Sequence, residues 1–418
     1  MSGKWTCNSL AELAEINPQA QGLPSEFVYI DLECVEDGAL SKEVLMKKAE
    51  APSRAQRLVS DGDILYQLVR PYQKNNLHFR NYSVLTYVAS TGYAQIRAKV
   101  DPVFLYYQLH SDDFVNAVLC RCTGTGYPAI TPNNLSKINI FHPVSIDEQR
   151  HIASILSACD TVLTQTKAAI EKYESIKHGM LNDLLTRGLA SDGTLRPHHA
   201  QAPDLYQPSP LGLIPKEWQV KRIGELFDFR NGLNKAKEFF GYGTPIVNYM
   251  DVYSKDALTA DNLLGRVYLT SDEIKRYEVL KGDVFFTRTS ETPNEIGYSA
   301  VMIQDVTNTV FSGFVLRARP ITGDLLDQYK RYCFQTNHIR RAICSDCTYT
   351  TRALTNGTKL SKIAIPIPPQ DEQKAIAARL SATDDKITAE QKALKKYQSL
   401  KEGLMRRLLT PPEGVEVS

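Results

Sequence analysis

Residues 147–186 recur at 371–410 without a gap, and close to half of the 40 aligned pairs are identical. Asp147-Glu148-Gln149 matches Asp371-Glu372-Gln373, Lys177 matches Lys401, and Leu184-Leu185-Thr186 matches Leu408-Leu409-Thr410. Two segments this alike must take the same local structure, so the repeat constrains the architecture more than any bulk property. Both copies read as helix. Ile152, Leu156, Leu163, Ile170, Tyr173, Met180 and Leu184 follow alternating steps of four and three, with Cys159, Thr166 and Lys177 at the remaining places. The second copy puts Ile376, Leu380, Ile387, Leu394, Tyr397, Leu404 and Leu408 on the same seam, with Thr383, Glu390 and Lys401 between them. This is an a/d pattern over about four heptads. No proline interrupts either copy. Ser145 and Glu148 have capping-box spacing, and Pro368-Pro369 closes the segment ahead of the second copy. At about 1.5 Å per residue each helix is about 60 Å long and cannot bury its seam alone. The polar seam positions coincide in the two copies, which favours an intramolecular pair or a bundle completed by another protein.

The repeat reaches beyond the helices. Trp5 matches Trp218, Gly62-Asp63-Ile64 matches Gly282-Asp283-Val284, and Leu135-Ser136-Lys137-Ile138 matches Leu360-Ser361-Lys362-Ile363. Between these anchors little is alike, so two divergent globular units share one frame. Each reads as mixed α and β. Strands are expected at 27–32, 63–69, 83–88 and 93–96, and at 245–249, 282–287, 299–303 and 313–318. Helices are expected at 102–118 and 325–343, and closing strands at 138–141 and 363–367. Residues 188–215, rich in Pro, Gly, Ser and His and without periodicity, read as a linker.

Length allows two or three domains. A net charge of +2 makes no case for nucleic acid or membrane, and no apolar run approaches a membrane span of about 18 residues. Met1-Ser2-Gly3-Lys4-Trp5 is no signal-peptide core, and eight cysteines in 418 residues read as reduced thiols. Cys120 and Cys122 sit in one repeat and Cys344 and Cys347 in the other, so a four-thiolate zinc site is not expected, nor any other metal. Phosphate-binding loops, nucleophile elbows and zinc-protease motifs are missing. Asp63 and Asp283 read as turn residues entering strands rather than nuclease carboxylates. The chain is therefore expected to be non-catalytic.

Polar, glycine-bearing stretches occupy corresponding places in both units and offer a nucleic-acid surface. In the first unit these supply Arg70, Tyr72, Lys74 and Arg80, and then Arg121, Thr123, Thr125, Tyr127, Asn133 and Asn134. In the second they supply Arg288, Ser290 and Asn294, and then Tyr349, Thr350, Arg352, Asn356 and Lys359. Such side chains reach base edges and phosphates.

At this point the chain resembles the specificity subunits of type I restriction-modification systems. The resemblance runs through Leu211-Gly212-Leu213-Ile214-Pro215-Lys216-Glu217-Trp218, Ile223-Gly224-Glu225-Leu226, Leu360-Ser361-Lys362-Ile363, Ile365-Pro366-Ile367-Pro368, Asp371-Glu372-Gln373 and Leu184-Leu185-Thr186-Arg187. It implies an α+β protein with a pseudo-twofold internal repeat. Two mixed α/β target-recognition domains, 1–143 and 213–368, would be separated by two long spacer helices, 144–188 and 369–411, forming an antiparallel coiled coil, with a linker at 189–212 and a tail at 412–418. Each domain would read one half of a split double-stranded DNA target. Two modification subunits would dock, bring S-adenosylmethionine and methylate adenine N6, and restriction subunits (translocase and nuclease) could join. The setting would be the prokaryotic cytoplasm. A fused nuclease–methyltransferase system and a non-DNA two-domain scaffold remain alternatives.

Overall fold

A computed structural model describes residues 4–19, 22–81, 83–124, 126–349 and 351–412. Thr125, Thr350 and most of the expected 412–418 tail lie outside the described residues. The two long helices are Ile146–Leu184 and Gln370–Leu408, each 39 residues and therefore about 58 Å long. The first starts where Ser145 Oγ accepts the Glu148 amide at 3.4 Å. The chain divides into two compact units, Met1–Ala168 with Gln391–Ser418, and Ala169–Glu390. Each unit thus holds one globular part and half of each long helix.

In the first unit, strand Trp5–Ser9 runs antiparallel to Asn139–Pro143, the strand that feeds the first long helix. A short helix, Leu10–Leu13, follows, its start closed by Glu12 accepting the Ser9 amide at 2.7 Å. One four-stranded sheet has the order Ala14–Ile16, Tyr93–Ala98, Ile64–Gln67, Leu77–His78; another has Val44–Lys47, Glu26–Ile30, Tyr87–Ser90, Ala55–Val59. Leu10, Ile64, Ile96, Leu105, Phe114 and Leu135 form one core and Val28, Ile30, Leu65, Phe79 and Tyr93 another.

The second unit repeats the frame. Gln219–Arg222 pairs antiparallel with Ala364–Ile367, and Ile223–Leu226 follows as a short helix. Its five-stranded sheet runs Phe227–Asn231, Val315–Pro320, Val284–Thr287, Ser299–Met302, Ala257–Leu258. Two of the repeated anchors acquire a physical reason here. Gly62 and Gly282 sit at φ +82° and +85°, where a side chain is disfavoured. The aspartates after them are buried. Asp63 accepts the Ser60 amide at 2.7 Å and both Arg97 donors at 2.9 Å; Asp283 accepts the Leu280 amide at 2.8 Å and both Arg319 donors at 2.8 Å. Each carboxylate closes a turn and pins the neighbouring strand. It also holds its arginine more firmly protonated than usual.

The repeated Asp-Glu-Gln also has a reason. Gln149 Oε1 accepts the Asp101 amide at 3.0 Å while its Nε2 donates to Pro143 O at 2.8 Å. Gln373 Oε1 accepts the Leu326 amide at 2.9 Å while its Nε2 donates to Pro368 O at 2.8 Å. Each glutamine is buried and fastens its long helix to its own globular part.

Where the helices meet, they run in opposite directions within each unit. In the first, Ile152 and Leu156 pack with Phe104, Tyr107, Leu404, Leu408 and Leu409, and Lys401 Nζ makes a close ion pair with Asp160, which also accepts the Tyr107 hydroxyl at 2.7 Å. In the second, Leu181, Leu184 and Leu185 share a core with Ile376, Ala377 and Leu380. There Thr383 donates to Met180 Sδ at 3.7 Å, and Lys177 Nζ lies 2.6 Å from Asp384, which accepts the Tyr332 hydroxyl at 2.7 Å. The polar seam lysines are therefore clamps joining both helices to a tyrosine of the globular part. Leu163, Ile170, Tyr173, Ile387, Leu394 and Tyr397 are half-buried.

Four expectations need correction. The strand expected at 83–88 starts only at Tyr87 and runs to Ser90, residues 83–86 being irregular. The single helix at 102–118 is two, Pro102–Gln108 and Asp112–Leu119, because Ser111 caps the second by accepting the Phe114 amide. The helix at 325–343 splits likewise into Asp327–Cys333 and Asn337–Ser345, with Thr336 as cap. The 189–212 linker is folded into the second unit: Leu189, Arg196 and Tyr206 are buried, and Tyr206–Ser209 pairs with Gly212–Pro215. Arg196 donates through Nη1 and Nη2 to Glu372 at 2.5 and 3.0 Å, and Trp218 Nε1 and the Leu189 amide donate to the same carboxylate at 3.0 and 2.7 Å. Gly188, at φ +65°, lies so close to Glu372, Arg196 and Trp218 that a Cβ would collide with all three.

Candidate nucleic-acid interface

The two candidate stretches of the first unit, separate in sequence, meet in space. Val69 bridges Ala129, Thr123 bridges Ala129, and the Arg70 amide donates to Pro128 O at 2.8 Å. The Arg70 guanidinium lies over the exposed Tyr127 ring, 4.4 Å from its centroid. Arg70 and Lys74 flank a tight turn, Pro71–Gln73, and both have left-handed φ, +53° and +56°. Such backbone in a non-glycine residue costs on the order of 1–2 kcal/mol and concentrates at functional sites. Arg70, Tyr127, Gln67, Gln73 and Asn75 line a cavity of about 480 Å³. A planar cation held on an aromatic ring beside amides is chemistry suited to bases and phosphates.

The second unit makes the same juxtaposition with different residues. Thr289–Ser290 pairs with Ala353–Leu354, which pairs with Thr348–Tyr349, and the Thr355 amide donates to Arg288 O. Beside this small sheet, Tyr249 and Tyr253 stack at 5.7 Å, and they line a cavity of about 460 Å³ together with Phe314 and Arg352. Met250, Phe314 and Tyr349 are exposed. None of Tyr249, Met250, Tyr253 or Phe314 was singled out by sequence; exposed aromatics leave no periodic signal, and only their density hints at a surface.

The remaining candidates divide. Tyr72, Arg80, Arg121, Thr123, Asn133, Asn294 and Arg352 are exposed, although Arg80 lies 3.9 Å from Asp61 and Arg121 donates to Ala117 O. Asn133 and Asn134 sit on helix Pro132–Ser136, with Asn133 lining another cavity of about 560 Å³ beside Asn17 and Lys99. Four candidates are committed internally. Lys74 donates to His110 O at 3.1 Å; Ser290 is buried, its hydroxyl on Glu295; Asn356 caps helix Gly357–Ser361; and Lys359 donates to Asp346 O at 2.6 Å. Among the described residues no three His, Cys, Asp or Glu side chains cluster as metal ligands.

Behind the first-unit loops stand two histidines held neutral by burial, His78 and His110, both pushed down to about 4. His110 Nδ1 lies 2.7 Å from Tyr106 O and Nε2 lies 3.1 Å from Asn76 Nδ2, which fits a neutral ring donating through Nδ1. With a folded pKa below the unfolded 6.5, the stability contribution is complete above pH 6.5 and is lost as pH falls from 6.5 toward 4. The first unit is expected to lose about 2 kcal/mol per histidine between pH 7 and pH 5, measured by urea unfolding with hydrogen exchange reporting each unit. Equal acid sensitivity of both units would contradict this.

Comparison with known proteins gives a consistent picture. The family model described as "Type I restriction modification DNA specificity domain" matches residues 62–172 and 215–397. The type I restriction enzyme MjaVIII specificity subunit of Methanocaldococcus jannaschii is 23% identical over 406 residues, covering 93% of this chain and 86% of that protein. The EcoKI specificity subunit of Escherichia coli is 25% identical over 283 residues, covering 66% of this chain and 57% of that one. Among solved structures, a chain from a study of type I system assembly and conformational transition aligns with TM-score 0.58 at 20% identity, covering 97% of both chains. The type I system S subunit from M. genitalium aligns with TM-score 0.57 at 14% identity, covering 98% of this chain and 97% of that one. At these identities the structures establish the mixed α/β fold.

Proposed function

Because this chain belongs to the type I restriction-modification DNA specificity family, we propose that each globular part reads one half of a split double-stranded DNA target. The observation that carries this is the repeated juxtaposition: after each Gly-Asp turn a loop pairs with the segment preceding the final helix-feeding strand, and in each unit the pair borders a cavity lined by an arginine and by aromatic side chains, Tyr127 in the first and Tyr249, Tyr253 and Phe314 in the second. The shared frame and differing loop residues suit two readers of two sequences. In this reading the domains span 1–143 and 213–368, and the long helices form one antiparallel coiled coil that sets the gap between half-sites. That scaffold docks two modification subunits, which hold S-adenosylmethionine and transfer its methyl group to adenine N6 in each half-site; restriction subunits could join the same assembly in the cytoplasm. The chain itself selects the site and does no chemistry. Its weak net charge, +2, accords with partners supplying part of the phosphate contact.

Gel shift on DNA carrying the target tests this. The chain with its modification subunit should retain target DNA over random DNA, with affinity falling as salt rises. No preferential retention, with or without that subunit, would leave a non-DNA scaffold as the better account.

A further inference from the structure

The first-unit cavity contains a buried amide that the second unit lacks. Gln67, the last residue of strand Ile64–Gln67, is buried and lines the cavity, yet its Oε1 has no hydrogen-bond partner among the described residues. At the repeated position the second unit has Thr287, whose hydroxyl is satisfied by the Tyr298 amide at 2.9 Å. Gln67 Nε2 donates to Oε1 of the exposed Gln73 at 3.0 Å, and the Gln67 backbone N–H donates to Asn76 Oδ1 at 2.8 Å. Asn76 in turn rests on the neutral His110 ring. Hydrogen bonds therefore run from the interior to Gln73, at the end of the tight turn that Arg70 and Lys74 flank. A buried donor fixed on Oε1 sets which way the Gln73 amide faces, leaving its NH2 group and one carbonyl lone pair outward.

The geometry points to Gln73 as a base-reading residue for the first half-site, with Gln67 as its positioning residue. This rests on the DNA-reading function proposed above. An outward amide with one acceptor and one donor matches the major-groove edge of adenine, accepting from N6 and donating to N7. Arg70, held on Tyr127 beside it, contacts the adjoining guanine or phosphate. Thr287 cannot orient a glutamine in this way, so the second unit must read its half by other groups.

The test is methylome sequencing with full-length variants and the modification subunit present throughout. Gln73→Ala should relax a single adenine position in one half-site, cutting discrimination there about tenfold to a hundredfold, with the other half-site and the gap unchanged. Gln73→Glu, which can only accept, should shift that position toward cytosine. Gln67→Leu should relax the same position less. A full motif unchanged by Gln73→Ala, with the split motif intact in the parent, would overturn the proposal and leave the DNA-reading function standing. A parent chain that directs no split motif would overturn both. A change spread evenly over both half-sites would mark a general loss of structure and would also overturn the base-reading role.

Discussion

Glu372→Ala is expected to destabilise the second unit by about 3–5 kcal/mol, because it leaves the buried Arg196 guanidinium, the Trp218 Nε1–H and the Leu189 amide facing a lost acceptor. The matching change in the other repeat, Glu148→Ala, should cost less than about 1 kcal/mol, since Glu148 is only half-buried. Urea unfolding of each variant, with hydrogen exchange at 188–218, measures the contrast. The double change Arg196→Met with Glu372→Leu removes charge from both sides and should recover only the part of the loss due to the unpaired guanidinium, because Trp218 Nε1–H and the Leu189 amide still lack their acceptor. Similar costs at Glu148 and Glu372 would show that the carboxylate cluster is not what holds residues 188–218 in place.

Inserting seven residues after Ala168 and seven after Glu390 is expected to lengthen the gap between half-sites and to leave both half-sequences unchanged. Seven residues keep the a/d seam in phase and add about 10 Å per helix, or about three base pairs at roughly 3.4 Å each. The first insertion lies between Thr164 and Ser175, in the stretch where half-buried seam positions such as Ile170 and Tyr173 dominate and no globular core is built. Methylation mapping reads the outcome. Altered half-sequences at an unchanged gap would contradict the role of the helices as a ruler.

The frame was legible in the residues because repetition and periodicity are local signals. Ile152, Leu156, Ile376 and Leu380 announce helix by spacing alone, and Gly62-Asp63 and Gly282-Asp283 announce a turn into a strand. What spacing could not supply was the partner of each polar side chain. Asp160 and Asp384 lie off the seam, so their pairing with Lys401 and Lys177 appears only when the helices meet. The Lys74 ammonium also rests on His110 O and that of Lys359 on Asp346 O, partners that spacing does not announce. Ser111 and Thr336 fit a continuous apolar stripe, yet a hydroxyl that can cap a helix start wins over that stripe. Residues 188–215 lack periodicity, but Leu189, Tyr206 and Ile214 are apolar enough to be buried, and Arg196 finds a carboxylate 176 positions away. Gln67 and Gln73 leave no signal in the sequence, because one is an ordinary strand residue and the other a loop residue until the amide contact joins them.

The central claim is that this chain chooses where adenine is methylated. Methylome sequencing of a host carrying the modification subunit, with and without this chain, tests it most directly. The account predicts a split motif with N6-methyladenine in both halves that vanishes when the chain is removed. Adenine methylation that is the same in both hosts would contradict it.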